Sequence, residues 1–156
     1  MPEATGTTAT QVAPLDLETA RRLMATVVGE SPDRIYSTWE FRGSGCYYVP
    51  LPVLREEQRR CGGKVPGMDV VSDEARENDP RETTGCLIGM ILDRHGETRH
   101  RFTGKTVMGL SLRFPWMFAS ERVVAYLSTA QQKQDAGGTW QEAMDEAEAY
   151  LPALQQ

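Results

Sequence analysis

The chain has 156 residues, with 17 lysines and arginines against 22 aspartates and glutamates, so its net charge is −5. This length suits one domain, and the acidic balance does not favour binding to nucleic acid or to an anionic membrane surface. No apolar run approaches the roughly eighteen residues of a membrane span, and no secretory signal is predicted at the start. Three cysteines form an odd set, which argues against a disulfide scaffold and indicates a reducing cytoplasm.

The first part of the chain predicts an arm and a helix. Residues 1–14 are rich in Thr, Ala and Gly and are predicted to be a disordered arm before a single globular domain over residues 15–156. Asp16 is the predicted N-cap of the first helix, whose apolar residues fall on one face at helical spacing. Gly29 is its predicted end.

Residues 34–49 change to aromatic and β-branched types. Trp39 and Phe41 alternate with charged residues, and a Gly-Ser-Gly turn signal follows them, so the pattern predicts a small β-hairpin. A short exposed helix is predicted over residues 52–61. The polar stretch at 62–82 is then a long connection, which is unusual in a compact domain and is either functional or mobile.

The most hydrophobic stretch lies at residues 83–96 and predicts a helix buried on most sides. Thr84 is the predicted N-cap, and Gly96 suits the left-handed conformation that ends a helix. Gly85 and Gly89 lie one turn apart and would let another element approach the backbone closely. We expect this helix to be the centre of the core.

The rest of the chain predicts irregular and then helical structure. Residues 97–118 suggest extended pieces broken by glycines, with a strongly apolar end at 114–118. Ser120 is the predicted cap of a helix, and Thr139 and Glu142 form a capping-box pair that opens the last helix after a tight turn. The two helices must pack antiparallel. The predicted class is therefore α+β: a mainly helical domain with a buried central helix, a small β-hairpin and a C-terminal helix pair.

Chemical motifs are weak. The triplet at 104–106 lacks the upstream glycine of a P-loop, and no two cysteines lie close enough for a typical zinc site, so no metal or cofactor is predicted. The best candidate nucleophile is Cys86, near a helix start where the dipole favours a thiolate, with His95 or His100 as its base. A packed thiol is the simpler interpretation of Cys86.

Two surfaces are candidates for binding. The basic residues Arg94, Arg99, Arg101 and Lys105 could contact a phosphate backbone, although a solvated face is the simpler interpretation. Aromatic residues suit a protein interface if they are exposed. The predicted partner-binding residues are Trp39, Tyr47, Tyr48, Trp116 and Phe118.

Three stretches carry a resemblance: Cys46-Tyr47-Tyr48-Val49, the Gly85-Cys86-Leu87-Ile88-Gly89 run, and the Ala130-to-Trp140 segment with the pattern AQxxQDxGxxW. About half of the chain, including these stretches, resembles a group of small actinobacterial and actinophage proteins. The resemblance implies no catalytic residues. In physical terms, Gln131, Gln132, Gln134 and Asp135 are placed to bond free groups at helix ends.

The sequence thus predicts a non-enzymatic cytoplasmic accessory protein that acts by binding another protein, with a phage-encoded factor as one form of this hypothesis. Contacts are expected through the 62–82 connection and residues 114–118. The alternatives are a cysteine-dependent enzyme using Cys86 and a weak nucleic-acid binder. No membrane partner is expected, nucleic acid is disfavoured, and self-association is left open.

Overall fold

A computed structural model describes residues 12–36, 48–62, 85–101, 103 and 105–155. This part of the chain forms six α-helices and two 3₁₀ turns, and the helices bury their apolar faces in one common core. The helices are α1 (Leu17–Glu30), α2 (Leu51–Arg60), α3 (Leu87–His95), α4 (Val107–Arg113), α5 (Glu121–Asp135) and α6 (Trp140–Tyr150), and the 3₁₀ turns are Pro115–Met117 and Leu151–Gln155.

The predicted α+β class is wrong for the described residues, which contain no strand or sheet. Residues 37–47, the centre of the predicted hairpin, lie outside the described part. On its flanks, Ile35 forms only an isolated antiparallel bridge with Thr139. The side chains of Tyr36 and Tyr48 are fully buried in the helical core. At these two positions the aromatic side chains therefore pack against helices, which the same residue type also favours.

The buried central helix is confirmed as α3. Leu87, Ile88, Ile91 and Leu92 are fully buried, and α1 and α5 pack against this helix. Gly96 ends it in the left-handed conformation, with φ at 89°. The helix starts later than predicted, because the cap is the Cys86 side chain, and Thr84 lies outside the described residues.

Helix α1 also begins as predicted, since Asp16 accepts a hydrogen bond from the Thr19 N–H at 2.7 Å. It ends at Glu30, one residue beyond the predicted glycine. The predicted exposed helix at 52–61 corresponds to α2. The predicted arm at 1–14 and the connection at 62–82 fall almost entirely outside the described residues.

The prediction of extended pieces between 97 and 118 is wrong for α4. Thr106 caps this helix by accepting from the Gly109 N–H at 3.2 Å, and Val107 and Leu110 are fully buried against the core. Burial of these two residues outweighs the poor helix propensity of Gly109. After α4, the chain turns through Pro115–Met117 and returns to the core at Phe118, which forms a parallel bridge with Leu15.

The C-terminal helix pair is confirmed. Thr139 and Glu142 form the capping box at the start of α6, and α5 and α6 pack against each other. Glu148 on α6 accepts hydrogen bonds from Arg21 on α1 and from Tyr126 on α5, so one carboxylate joins three helices. None of the described helices has the length and apolar character needed to cross a membrane.

Candidate protein-binding surface

Helix α4 places apolar side chains in solvent. Met108 and Leu112 are four residues apart, so they share one face of the helix, opposite the buried Val107 and Leu110. Met108 is 53% exposed, Leu112 is 78% exposed, and Trp116 in the following turn is 53% exposed. We call Met108, Leu112 and Trp116 the Leu112 patch. Exposed apolar side chains are ordinary when scattered, whereas here three lie within nine residues of the chain.

A groove of about 740 Å³ lies beside this patch, between α4 and the beginning of α5. Its apolar lining consists of Met108, Leu112, Pro115, Phe118, Val124 and Ala125. Polar groups are confined to two serines, Glu121 and Arg122. The lining is therefore mostly apolar and has few polar groups. This favours recognition of an apolar surface over catalysis on a substrate.

Trp116 has a fixed cationic neighbour. The guanidinium carbon of Arg99 lies 5.6 Å from the centre of the Trp116 ring and 6.0 Å from the centre of the Phe114 ring. The Phe114 and Trp116 rings meet edge to face with their centroids 6.1 Å apart. Arg113 lies over the Phe114 ring at 5.4 Å. Arginine and tryptophan side chains of this kind dominate the binding energy of many protein interfaces.

Glu97 holds Arg99 in position. Its carboxylate accepts two hydrogen bonds from the Arg99 guanidinium, at 2.8 and 2.5 Å, and two more from the backbone N–H groups of Thr98 and Arg99, both at 2.9 Å. Glu97 is only 3% exposed. Above all because of the bond from Arg99, the pKa of Glu97 falls to about 2. The guanidinium beside Trp116 is thus preorganised by a charged bidentate pair.

The arginines of this region differ in whether they form an ion pair. Arg99 is paired with Glu97, whereas Arg113 and Arg122 form no ion pair with any residue that the structure describes. Glu121 is the acidic side chain in the groove lining. The charged residues of the groove lining, Glu121 and Arg122, therefore balance each other.

The predicted partner-binding residues lie in different environments. Trp116 is exposed and belongs to the Leu112 patch. Tyr48 is fully buried in the core. Phe118 is 6% exposed but lies in the lining of the groove, so it stays a predicted contact. Trp39 and Tyr47 lie outside the described residues. Met108 and Leu112 were missed because residues 107–113 were interpreted as extended, although their i, i+4 spacing after a threonine cap was the available signal.

The candidate catalytic residues are not brought together. Cys86 is fully buried, and its Sγ accepts a hydrogen bond from the Gly89 N–H at 3.4 Å. His95 Nε2 lies 2.7 Å from the Ala13 carbonyl oxygen. His100 is buried edge-on against Tyr48, and its Nε2 lies 3.1 Å from an oxygen of Asp93. Within the described ranges, no interaction joins the thiol to either imidazole, and no group of three metal-ligating side chains occurs.

The predicted basic segment is largely neutralised by neighbouring acids. Arg94 makes a bidentate pair with Glu30, and Arg99 is paired with Glu97. Arg101 lies 3.8 Å from the carboxylate of Asp93. Such pairs leave little free charge for a phosphate backbone.

Comparisons with protein-family models, with curated proteins and with solved structures find no match to this chain. A function therefore has to be inferred from the chain's own surface. Its strongest feature is the Leu112 patch with the adjoining groove.

Proposed function

We propose that the protein is a non-enzymatic accessory factor that binds another protein through the Leu112 patch and the adjoining groove. The observation that carries this proposal is the exposure of Met108 and Leu112 in the lining of a mostly apolar groove, with the exposed Trp116 in the turn that follows α4. Water contact with such a surface is unfavourable, by roughly 25 cal/mol for each Å² of apolar area. Covering the patch with an apolar partner surface would remove this cost.

The arrangement at Trp116 supports the same proposal. A tryptophan anchor and an arginine that is already held in place need little reordering when a partner binds, so little conformational entropy is lost. The Glu97–Arg99 pair supplies this rigidity. Packing of Phe114 against the Trp116 ring restrains the same region.

The proposed setting is the bacterial cytoplasm, and a phage-encoded factor that acts on a host protein is one form of this proposal. Two features support it: the resemblance to small actinobacterial and actinophage proteins, and the free thiols of Cys61 and Cys86. Free thiols are typical of reducing compartments.

The alternatives have less support. A cysteine enzyme needs an accessible thiolate within reach of a base, and the buried thiol of Cys86 caps a helix instead. A nucleic-acid binder needs uncompensated cations, and Arg94 and Arg99 are engaged by carboxylates. Neither alternative is favoured by a specific observation.

The test is quantitative affinity capture from an actinobacterial lysate with three forms of the full chain: wild type, Met108→Gln/Leu112→Gln, and Tyr150→Gln as a matched control. Tyr150 is also an exposed hydrophobic residue, at the end of α6. We expect at least one protein that wild type and the control retain and that the double variant loses. A capture profile that is the same for all three forms would contradict the proposal.

A further inference from the structure

We propose that Tyr48 and Gln131, two buried side chains outside α4, position the α4 part of the Leu112 patch by holding the start of this helix in place. This role rests on the function proposed above, because it gives both residues an indirect part in partner binding. Tyr48 is fully buried and Gln131 is 3% exposed, so neither side chain contacts a partner directly. They would act through α4, which presents Met108 and Leu112 to solvent.

Helix α4 is too short to be stable without support from the rest of the chain. It has seven residues, and one of them is Gly109. Isolated helices of fewer than about 12 residues are marginal in water, and glycine lowers helix stability further. Met108 and Leu112 are neighbours only while α4 is helical, because residues four apart would be separated by about 13 Å in an extended chain. The apolar face of α4 therefore depends on what keeps the helix formed.

Backbone groups at the start of α4 are bonded to this buried pair. The Gln131 side-chain oxygen accepts from Val107 N–H at 2.9 Å, and the Tyr48 hydroxyl donates to the Lys105 carbonyl oxygen. The Gln131 amide donates to the Tyr48 hydroxyl oxygen at 3.3 Å, which joins the two side chains. The first N–H groups of a helix have no partner within it, and forming the first turn is the costly step. The pair therefore supports α4 at the point on which helix formation depends.

The pair is itself fixed by the core. The Tyr48 ring meets the buried imidazole of His100 edge to face, with the ring centroids 5.4 Å apart. Gln131 lies in α5, which packs against α3, α4 and α6. Opening of α4 would therefore break its bonds to the pair and leave the core in place. The competing explanation is that burial of Val107 and Leu110 alone holds α4 against the core.

The test is amide hydrogen exchange of the full chain, followed by NMR at Leu110 N–H. This group donates to the Thr106 carbonyl oxygen at 2.8 Å, so its exchange reports the opening of α4. Tyr48→Phe removes the hydroxyl that bonds the Lys105 carbonyl oxygen, and it should raise the exchange rate at Leu110 about tenfold. The rate follows the opening equilibrium when α4 recloses faster than the open amide exchanges.

Tyr126→Phe is the matched control, because Tyr126 is also fully buried and its hydroxyl bonds to Glu148 of α6. This bond is lost only when the core opens, so the exchange rate at Leu110 should change by less than about twofold. Ala147 N–H in the middle of α6 reports on the core. Its continued protection in each variant shows that the chain is folded.

Partner binding should follow the state of α4. In the lysate capture, Tyr48→Phe/Gln131→Met should retain the Leu112-dependent proteins about tenfold less than wild type, since apparent affinity falls with the fraction of molecules in which α4 is formed. Tyr126→Phe/Gln132→Met is the control and should retain them as wild type does, because Gln132 is exposed on the same helix as Gln131.

The outcomes separate this role from the proposed function. An equal exchange rate at Leu110 in Tyr48→Phe and Tyr126→Phe would overturn the role of the pair, while Leu112-dependent capture by wild type would still support the proposed function. Faster exchange in Tyr48→Phe with unchanged capture by Tyr48→Phe/Gln131→Met would overturn the part of the pair in binding. If no captured protein depended on Leu112, the proposed function would fail, and faster exchange in Tyr48→Phe alone would still support the hold on α4.

Discussion

Gly89 of α3 lies directly against the backbone of Tyr48. A Cβ atom at position 89 would be 2.1 Å from the Tyr48 carbonyl oxygen and 2.7 Å from its Cα. The neighbouring Gly85 meets the same segment, since a Cβ there would lie 2.8 Å from the Tyr48 carbonyl carbon. The predicted close approach at these glycines is thereby confirmed, and its partner is the segment that leads into α2.

Gly89→Ala should therefore destabilise the protein, although alanine is the better helix former. The obstructing atoms belong to the backbone and cannot rotate away, so we expect a loss of about 3 kcal/mol in the free energy of unfolding. Gly29→Ala in α1 is the matched control, because a Cβ there meets nothing within 4 Å. It should raise the free energy of unfolding by about 0.5 kcal/mol. Urea unfolding followed by circular dichroism measures both.

If Gly89→Ala raised the free energy of unfolding, the close contact between Gly89 and Tyr48 would be contradicted. A neutral effect at position 89 would have the same meaning. The decisive result is a lower free energy of unfolding for Gly89→Ala together with a higher one for Gly29→Ala.

Two glutamines of α5 each satisfy the first N–H group of another helix. The Gln134 side-chain oxygen accepts from Leu87 N–H at 2.7 Å, and that of Gln131 accepts from Val107 N–H at 2.9 Å. These donors have no partner inside their own helices. Gln131 also donates to the buried Tyr48 hydroxyl, at 3.3 Å. Both glutamines are therefore structural residues.

Gln134→Ala should leave the Leu87 N–H buried without an acceptor and cost about 1–3 kcal/mol of unfolding free energy. Gln132→Ala is the control, since Gln132 lies on the solvent side of the same helix and should change stability by less than about 0.5 kcal/mol. Thermal unfolding of the two variants compares them directly. Equal melting temperatures would contradict the role assigned to Gln134.

Local signals explain what the sequence predicted well. A helix start depends on one side chain and the N–H groups two or three residues later, so Asp16 and the Thr139–Glu142 box could be recognised from their spacing. The end of α3 at Gly96 depends on a single residue that tolerates the left-handed conformation. Thr106 carries the same local signal, because its side chain accepts from the N–H group three residues later, and it marks the start of α4.

Long-range packing explains what the sequence did not predict. The burial of Tyr48 depends on Gln131 and His100, which are far from it in the chain, and no periodicity near Tyr48 encodes them. A bond to a free helix-end group was predicted for Gln131, Gln132 and Gln134, but Gln132 is exposed to solvent. The sequence also did not indicate which helix Gln131 and Gln134 would reach. The candidate surface could not be predicted for the same reason, because the exposure of Leu112 depends on which face of α4 packs against the core.

Asp135→Asn should stabilise the protein at neutral pH. Burial raises the pKa of Asp135 above its ordinary value, with an opposing contribution from the Gln134 amide, so the native state disfavours the ionised form. Asp135 is also the last residue of α5, where the helix dipole disfavours a negative charge. Removing the charge should add about 0.5–1 kcal/mol to the free energy of unfolding.

The sign of this effect depends on pH. Because the folded-state pKa is raised, the benefit of Asp135→Asn should be absent below the unfolded pKa, where the aspartate is protonated in both states. It should grow as the pH rises and be complete above the folded pKa. Melting temperatures measured across acidic to neutral pH test this, with Asp33→Asn in an exposed turn as the control. A lower melting temperature for Asp135→Asn at neutral pH would show that the carboxylate stabilises this site.

Glu97→Gln should destabilise the protein at neutral pH and leave it unaffected in strong acid. The Glu97 pKa falls from 4.5 to about 2 in the folded state, so between these values the unfolded chain binds more protons than the native protein. The stabilisation is therefore present above the unfolded pKa and is lost as the pH falls through the folded one. Its full size, by the same relation, is about 3 kcal/mol.

Urea unfolding of wild type and Glu97→Gln between about pH 7 and pH 2 measures this contribution, because other carboxylates titrate equally in both proteins and cancel in the difference. Glu146→Gln, at an exposed position of α6, is the control variant. Glu97→Gln also removes the carboxylate that holds Arg99 in place beside Trp116. We therefore expect partner affinity at neutral pH to fall with Glu97→Gln and not with Glu146→Gln. A difference in stability that stayed constant across this pH range would contradict the lowered pKa of Glu97.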